Sequence, residues 1–196
     1  MPSPSMLYRA YREALGEKIP YPVLQISDGT TMTYPRFFIK ILEEKGFICS
    51  HRFEGVASDA SVDMYVENPS GSGVYMYIIA VEIASYGQGW IDFYRNNSIS
   101  TSGTQADIFP LFLGSAKTSK IYIEYGGTYT LGDLAMNTIT PGGRRSRAIG
   151  SLAEVGETLI IPPGQNMVIR FTNKSDTTVD VSIKIIWWED PVTQQG

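Results

Sequence analysis

The 196-residue chain has one cysteine, Cys49, and one histidine, His51. Any Cys-His or Ser-His catalysis must pass through them. Residues two apart on a strand share a face, so the two side chains could be neighbours. No nucleophile elbow and no helix start follows them. The plainer reading is one strand face made by Phe47, Cys49, His51 and Phe53. These counts exclude an internal disulfide and a zinc site built from Cys and His. Carboxylates are the next source of chemistry. Asp92 and Glu124 fall in strand-like segments and could serve as acid and base on a glycoside. With 20 acidic residues such pairs always occur, so only geometry gives this one weight. Asp133, Glu154 and Glu157 lie in or near loops and could meet around calcium, but without calcium-loop spacing.

Two further constellations point to contact rather than reaction. Arg144, Arg145 and Arg147 fall in one glycine-containing loop. Their forked guanidinium groups suit carboxylate or phosphate, so the loop is a candidate subunit or polyanion contact, with a solvated loop as the plainer reading. Gly126-Gly127 and Gly142-Gly143 lack a phosphate-loop lysine and a following helix. Tyr75 and Tyr77 share one strand face, Trp90 and Tyr94 share another, and Tyr122 and Trp188 lie on faces that include polar neighbours. Exposed aromatic rings anchor subunit interfaces and also stack on sugars, while core packing accounts for most such residues. No catalytic set, cofactor motif or metal motif emerges.

These side chains must be held by elements of two kinds. Residues 1–46 carry helical spacing: Leu7, Ala10, Tyr11, Ala14 and Leu15 follow a capping Ser5 and stop at Gly16. Ile19 to Val23 must be extended because of its prolines. Asp28-Gly29 marks a turn. A second helix is expected after Thr33, with Pro35 in its first turn, Phe38, Ile41 and Leu42 inward, and Gly46 as its stop. With six basic and five acidic residues this region is not a strongly basic nucleic-acid arm.

From Phe47 the period becomes two. Val62, Met64 and Val66 alternate with polar residues, Val74 to Ala84 reads as a strand covered on both faces, and Gly89 to Arg95 is another strand. Strands are also expected at Asp107–Leu113, Lys120–Tyr125, Leu131–Thr138, Thr158–Ile161 and Asn166–Thr172. The clearest alternation runs from Val179 to Trp188. Its apolar end calls for a cover from another element or a neighbouring subunit. Nine or ten short strands without crossover helices predict a mainly all-β fold. The expected architecture is an antiparallel β-sandwich or jelly roll over residues 47–196, preceded by a small helical and extended segment over 1–46.

Composition agrees. Charged residues are 18% of the chain, the formal net charge is −4, and the counts include 19 glycines and 12 tyrosines. That balance gives no strong nucleic-acid signal. The longest apolar stretch, Val74 to Val81, is far short of the roughly 20 residues of a membrane-spanning helix. No signal-peptide core stands at the N-terminus.

The stretch from Val62 to Asp190 resembles a family of jelly-roll virion proteins of tailed phages, prophages and related viruses. The resemblance lies in the order of its motifs. Glu67-Asn-Pro-Ser-Gly-Ser-Gly73 precedes an aromatic, apolar strand. Gly89-Trp-Ile-Asp-Phe-Tyr-Arg-Asn96, Ser102-Gly-Thr104 and Gly114-Ser-Ala-Lys-Thr-Ser119 follow. Leu159-Ile-Ile-Pro-Pro-Gly164, Val168-Ile-Arg-Phe-Thr-Asn173 and a last strand closing on Trp187-Trp188-Glu189 complete the series. The resemblance implies a non-enzymatic coat, decoration, vertex or attachment protein, made in the host cytoplasm and carried in the virion. Its implied partners are copies of itself and other virion proteins. A carbohydrate- or receptor-binding module, with a host surface glycan as ligand, is the alternative. No cofactor and no catalytic residue is implied.

Overall fold

The computed structural model describes residues 23–25, 31–33, 36–141 and 159–192. The helix expected over Ser5–Gly16, the segment 19–22, Pro35, the Asp28-Gly29 turn, the arginine loop, Glu154 and Glu157 lie outside them. The described residues form fifteen strands and one helix. A two-stranded antiparallel ribbon comes first, β1 (Val23–Gln25) with β2 (Thr31–Thr33). Helix α1 (Arg36–Leu42) follows.

Eight strands make the body. They are β3 (Gly46–Val56), β4 (Ser61–Asn68), β5 (Val74–Ser85), β6 (Gly89–Arg95), β12 (Asp133–Thr140), β13 (Leu159–Ile161), β14 (Gln165–Asn173) and β15 (Val179–Pro191). The first of the eight pairs with the last, the second with the seventh, the third with the sixth and the fourth with the fifth. That is one long hairpin, four strands out and four back. It is rolled up so that β15 also meets β5 and β14 also meets β6. Every pairing is antiparallel, and the result is a jelly roll of two packed sheets. Pairing order in the first sheet is β13-β5-β15-β3-β9, with β9 at Ile108–Pro110, and in the second β12-β6-β14-β4-β10-β8, with β10 at Tyr122–Tyr125 and β8 at Thr104–Gln105.

Alternation explains which residues fill the space between the sheets. Val181, Ile183, Ile185 and Trp187 of β15 are buried, as are Phe47 and Cys49 of β3 and Val81 and Ile83 of β5. Met64 and Val66, Ile91 and Phe93, and Ile169 and Phe171 face them from the second sheet. Gly89 opens β6 because a Cβ there would land on the Phe171 ring. A buried asparagine secures each end of the roll. Asn68 donates to the carbonyls of Val74 and Ile161 at 2.8 Å, and Asn173 to those of Val56 and Thr177 at 2.9 and 2.8 Å.

The excursion between β6 and β12 supplies β7 (Ser98–Thr101), β8 (Thr104–Gln105), β9 (Ile108–Pro110), β10 (Tyr122–Tyr125) and β11 (Thr128–Thr130). β8 and β9 are consecutive, yet they end different sheets, so the chain itself closes that flank. β7 and β11 pair as a small flap. Only Ile108–Pro110 of the strand expected over Asp107–Leu113 is extended.

The helix differs from its expected pattern. Ile39 is its buried residue and Phe38 is exposed. The helix lies across the outer face of the first sheet, so its inward stripe is set by where that sheet meets it. The chain leaves it through Glu44, which takes a left-handed φ of 59°, and Gly46 begins β3 rather than ending the helix. The outward face of β5 is half-buried at Tyr75 and Tyr77 rather than covered throughout, and Ala84 is exposed.

Candidate functional site

Cys49 and His51 do share an inward face of β3, with Phe47 and Phe53. Burial pushes the Cys49 thiol up to about 11, and the Asp107 carboxylate adds to the shift. A thiol held that high is no nucleophile at neutral pH. The His51 ring stacks on Tyr125 at 3.4 Å between centroids and meets Phe53 edge-on at 4.6 Å. It borders an open groove with Ala60 and Val62. Burial lowers its pKa.

The strand register separates the carboxylates. Asp92 on β6 lies beside Arg170 on β14, which lies beside Asp63 on β4. Arg170 donates to both oxygens of Asp63 at 2.7 Å. Glu124 stands on β10, opposite Tyr65 of β4. Two strands intervene between β6 and β10, so Asp92 and Glu124 are roughly 14 Å apart by strand spacing. That exceeds the reach of a glycosidase pair. Asp133 accepts a hydrogen bond from Asn96 at 2.8 Å and lies 3.5 Å from Arg95. Among the described residues, no three His, Cys, Asp or Glu side chains gather as a metal site.

The outer face of the second sheet holds a tyrosine–carboxylate network, brought together by the pairing of β4 with β10 and by the flap. Glu124 is fully buried there, and its Oε2 accepts from Tyr122 at 2.6 Å. Tyr65 donates to Glu67 at 3.1 Å. Tyr129 of the flap stacks on Tyr65 at 5.4 Å. The Glu124 hydrogen bond, ahead of burial, pushes the Tyr122 phenol up to about 12. Burial and then the neighbouring carboxylates raise Tyr65 and Tyr129 further. These phenols remain protonated donors across the physiological range. The network therefore holds the flap onto the sheet.

The two tryptophans singled out in the sequence have opposite surroundings. Trp188 is buried beneath α1 of its own chain. Its ring stacks on Tyr77 at 5.0 Å and lies 6.1 Å from Phe37, with the Arg36 guanidinium 5.7 Å away. The cover required at the end of β15 is thus intramolecular, and Trp188 offers no platform for a sugar. Trp90 is 50% exposed, with the Lys174 ammonium 4.3 Å from its ring centroid. Tyr94 and Tyr122 are half-buried around the flap.

Several exposed apolar side chains carry no mark in the sequence patterns. Phe109, Phe112 and Leu113 follow one another along the β9 flank, and Leu134, Ile139, Leu159 and Ile160 mark β12 and β13. The run from Phe109 to Leu113 reads in the sequence as part of one strand, and only the three-residue length of β9 frees its end. The chain matches no protein-family model, no curated protein and no solved structure.

Proposed function

We propose that this chain is a non-enzymatic structural protein of a virus particle, as coat, decoration, vertex or attachment component, and that it assembles with copies of itself. The observation that carries this reading is the set of exposed apolar side chains beyond β9 and on edge strand β12. Leu113 is 89% exposed, Ile139 65% and Phe109 60%. Single-domain proteins that act alone seldom display apolar groups in such concentration, whereas subunit interfaces use them. The resemblance in motif order supports the virion assignment. The high thiol pKa of Cys49 and the separation of Asp92 from Glu124 speak against the Cys-His pair and the glycosidase pair. Size-exclusion chromatography with light scattering tests the assembly claim. Oligomers are expected, and a strict monomer at high concentration, absent from virions by mass spectrometry, rejects it.

Trp90 favours a second reading, a carbohydrate- or receptor-binding face. The half-exposed ring shares a face of β6 with Asp92, Thr172 lies opposite it on β14 and Lys174 lies over it, a mixture of stacking and hydrogen-bonding groups suited to a sugar. Glycan binding lost in Trp90→Ala would favour it over the first reading.

A further inference from the structure

One polar row crosses the outer face of the second sheet. Strand register places Asn137 of β12, Asp92 of β6, Arg170 of β14 and Asp63 of β4 side by side. Two members lie low: the Arg170 side chain is 26% exposed and that of Asp63 12%. On one side of the row stand Trp90, 50% exposed, and Ile139 opposite it, 65% exposed. On the other side the flap rises, with Tyr129 and Leu131 packed near Tyr65, Val168 and Tyr94. Two residues of strand, roughly 7 Å, separate the row from its neighbours on either side. The row is thus the floor of a shallow trough, and an aromatic ring forms part of one wall.

The charges along this trough are unequally served. Arg170 is taken by Asp63 through two hydrogen bonds of 2.7 Å. Lys174 is held between Asp59, at 2.7 Å, and the Trp90 ring. Both cations therefore already have an anion. Asp92 differs. Burial raises its pKa and the Arg170 charge offsets part of the shift, so this carboxylate is partly withdrawn from water. Among the described residues no side chain or backbone donor hydrogen-bonds to it. An ionised carboxylate can only accept, so the open position on the floor calls for a ligand that donates.

We infer that this trough takes a neutral hexopyranose: the apolar C–H face of the sugar rests on Trp90, and its hydroxyls donate to Asp92. The inference rests on the carbohydrate reading above and adds the class of sugar. Charge decides the class. The trough and its edge hold three carboxylates, Asp59, Asp63 and Asp92, against two cations. A sialic or uronic acid would bring a further anion beside Asp92, and like charges so placed oppose binding. A cationic ligand would compete with Lys174 for the one aromatic ring. A neutral sugar meets neither conflict, and its hydroxyls give Asp92 the charge-assisted hydrogen bonds it lacks.

An array of immobilised glycans, some ending in neutral hexopyranoses and some in sialic or uronic acid, tests this with the full chain. Titration with the free oligosaccharide of the best-bound spot quantifies it. Binding is expected on neutral termini alone. Trp90→Ala is expected to abolish it. Asp92→Asn is expected to weaken it about tenfold or more, the worth of a hydrogen bond to a charged group. Arg170 keeps Asp63 in that variant, and equal melting temperatures would verify folding. Asp92→Ser replaces it if it melts low. The inference is overturned if acidic termini bind as well as neutral ones, or if the Asp92 variant binds as tightly as the unaltered chain. In both of those cases, loss of binding in Trp90→Ala leaves the carbohydrate reading standing. Binding to neither kind of terminus, or binding that Trp90→Ala leaves intact, overturns both.

Discussion

His51 stands between two aromatic rings, and its environment carries a pH dependence. Burial lowers its pKa from the ordinary 6.5. Above 6.5 the ring is neutral whether the chain is folded or unfolded, and it contributes nothing to the balance. Below 6.5 the unfolded chain takes up a proton that the folded chain resists, so stability falls as pH drops through the folded pKa. His51→Phe keeps a flat ring against Tyr125 and removes this proton. Its melting temperature is expected to fall less than that of the unaltered chain between pH 7 and pH 5, with no difference in slope above pH 7. Parallel curves over the whole range would show that His51 does not carry the effect. The adjacent Cys49 illustrates how far a residue type can mislead. Its spacing from His51 allows a catalytic pair, but only burial, read from the folded molecule, shows that the thiol stays protonated.

Among the elements, α1 has the most specific attachment. Asp190 at the end of β15 receives Lys40 at 2.7 Å, Lys45 at 3.4 Å and Arg36 at 3.6 Å. Glu43 joins the cluster. Burial pushes its carboxyl up, but hydrogen bonds and charge from Lys45 and Lys40 outweigh this and hold it below its usual range. The cluster clamps the helix over Trp188 and Tyr77. Asp190→Asn removes the shared anion from three cations. It is expected to cost about 1–2 kcal/mol, between the values for exposed and buried pairs. Amide hydrogen exchange within 36–42 should quicken, and unchanged exchange would show that ring packing alone holds the helix. The sequence predicts a helix here, yet it assigns Phe38 inward and misses Ile39. The direction a helix faces depends on the sheet it lands on, and seven residues hold too little periodicity to specify it.

At the scale of the whole molecule, the rolled hairpin makes β15 indispensable. It pairs with β3 on one side and β5 on the other, and it carries five buried apolar residues from Val179 to Trp187. A chain ending before Val179 loses the centre of the first sheet and one wall of the core. It is expected to lose the β-sheet circular dichroism signal and any cooperative melting transition. A cooperative transition in that truncated chain would mean that the remaining strands form a sheet by themselves.

Much of this molecule is legible in local order. Pleating sends successive side chains to opposite faces, so alternation alone identifies β4, β6, β14 and β15 and names the inward residues Met64, Val66, Ile183 and Ile185. Antiparallel sandwich architecture follows from many such segments without helices between them. Local order is silent about partners. Only the folded chain pairs β3 with β15 across more than a hundred residues, folds a flap over Tyr65, buries Trp188 under α1 and leaves Trp90 half-exposed. The physical reason is range. Which way a side chain points is decided within two residues of backbone, but what then covers it is decided by strands and helices distant in sequence, through contacts that no single segment encodes.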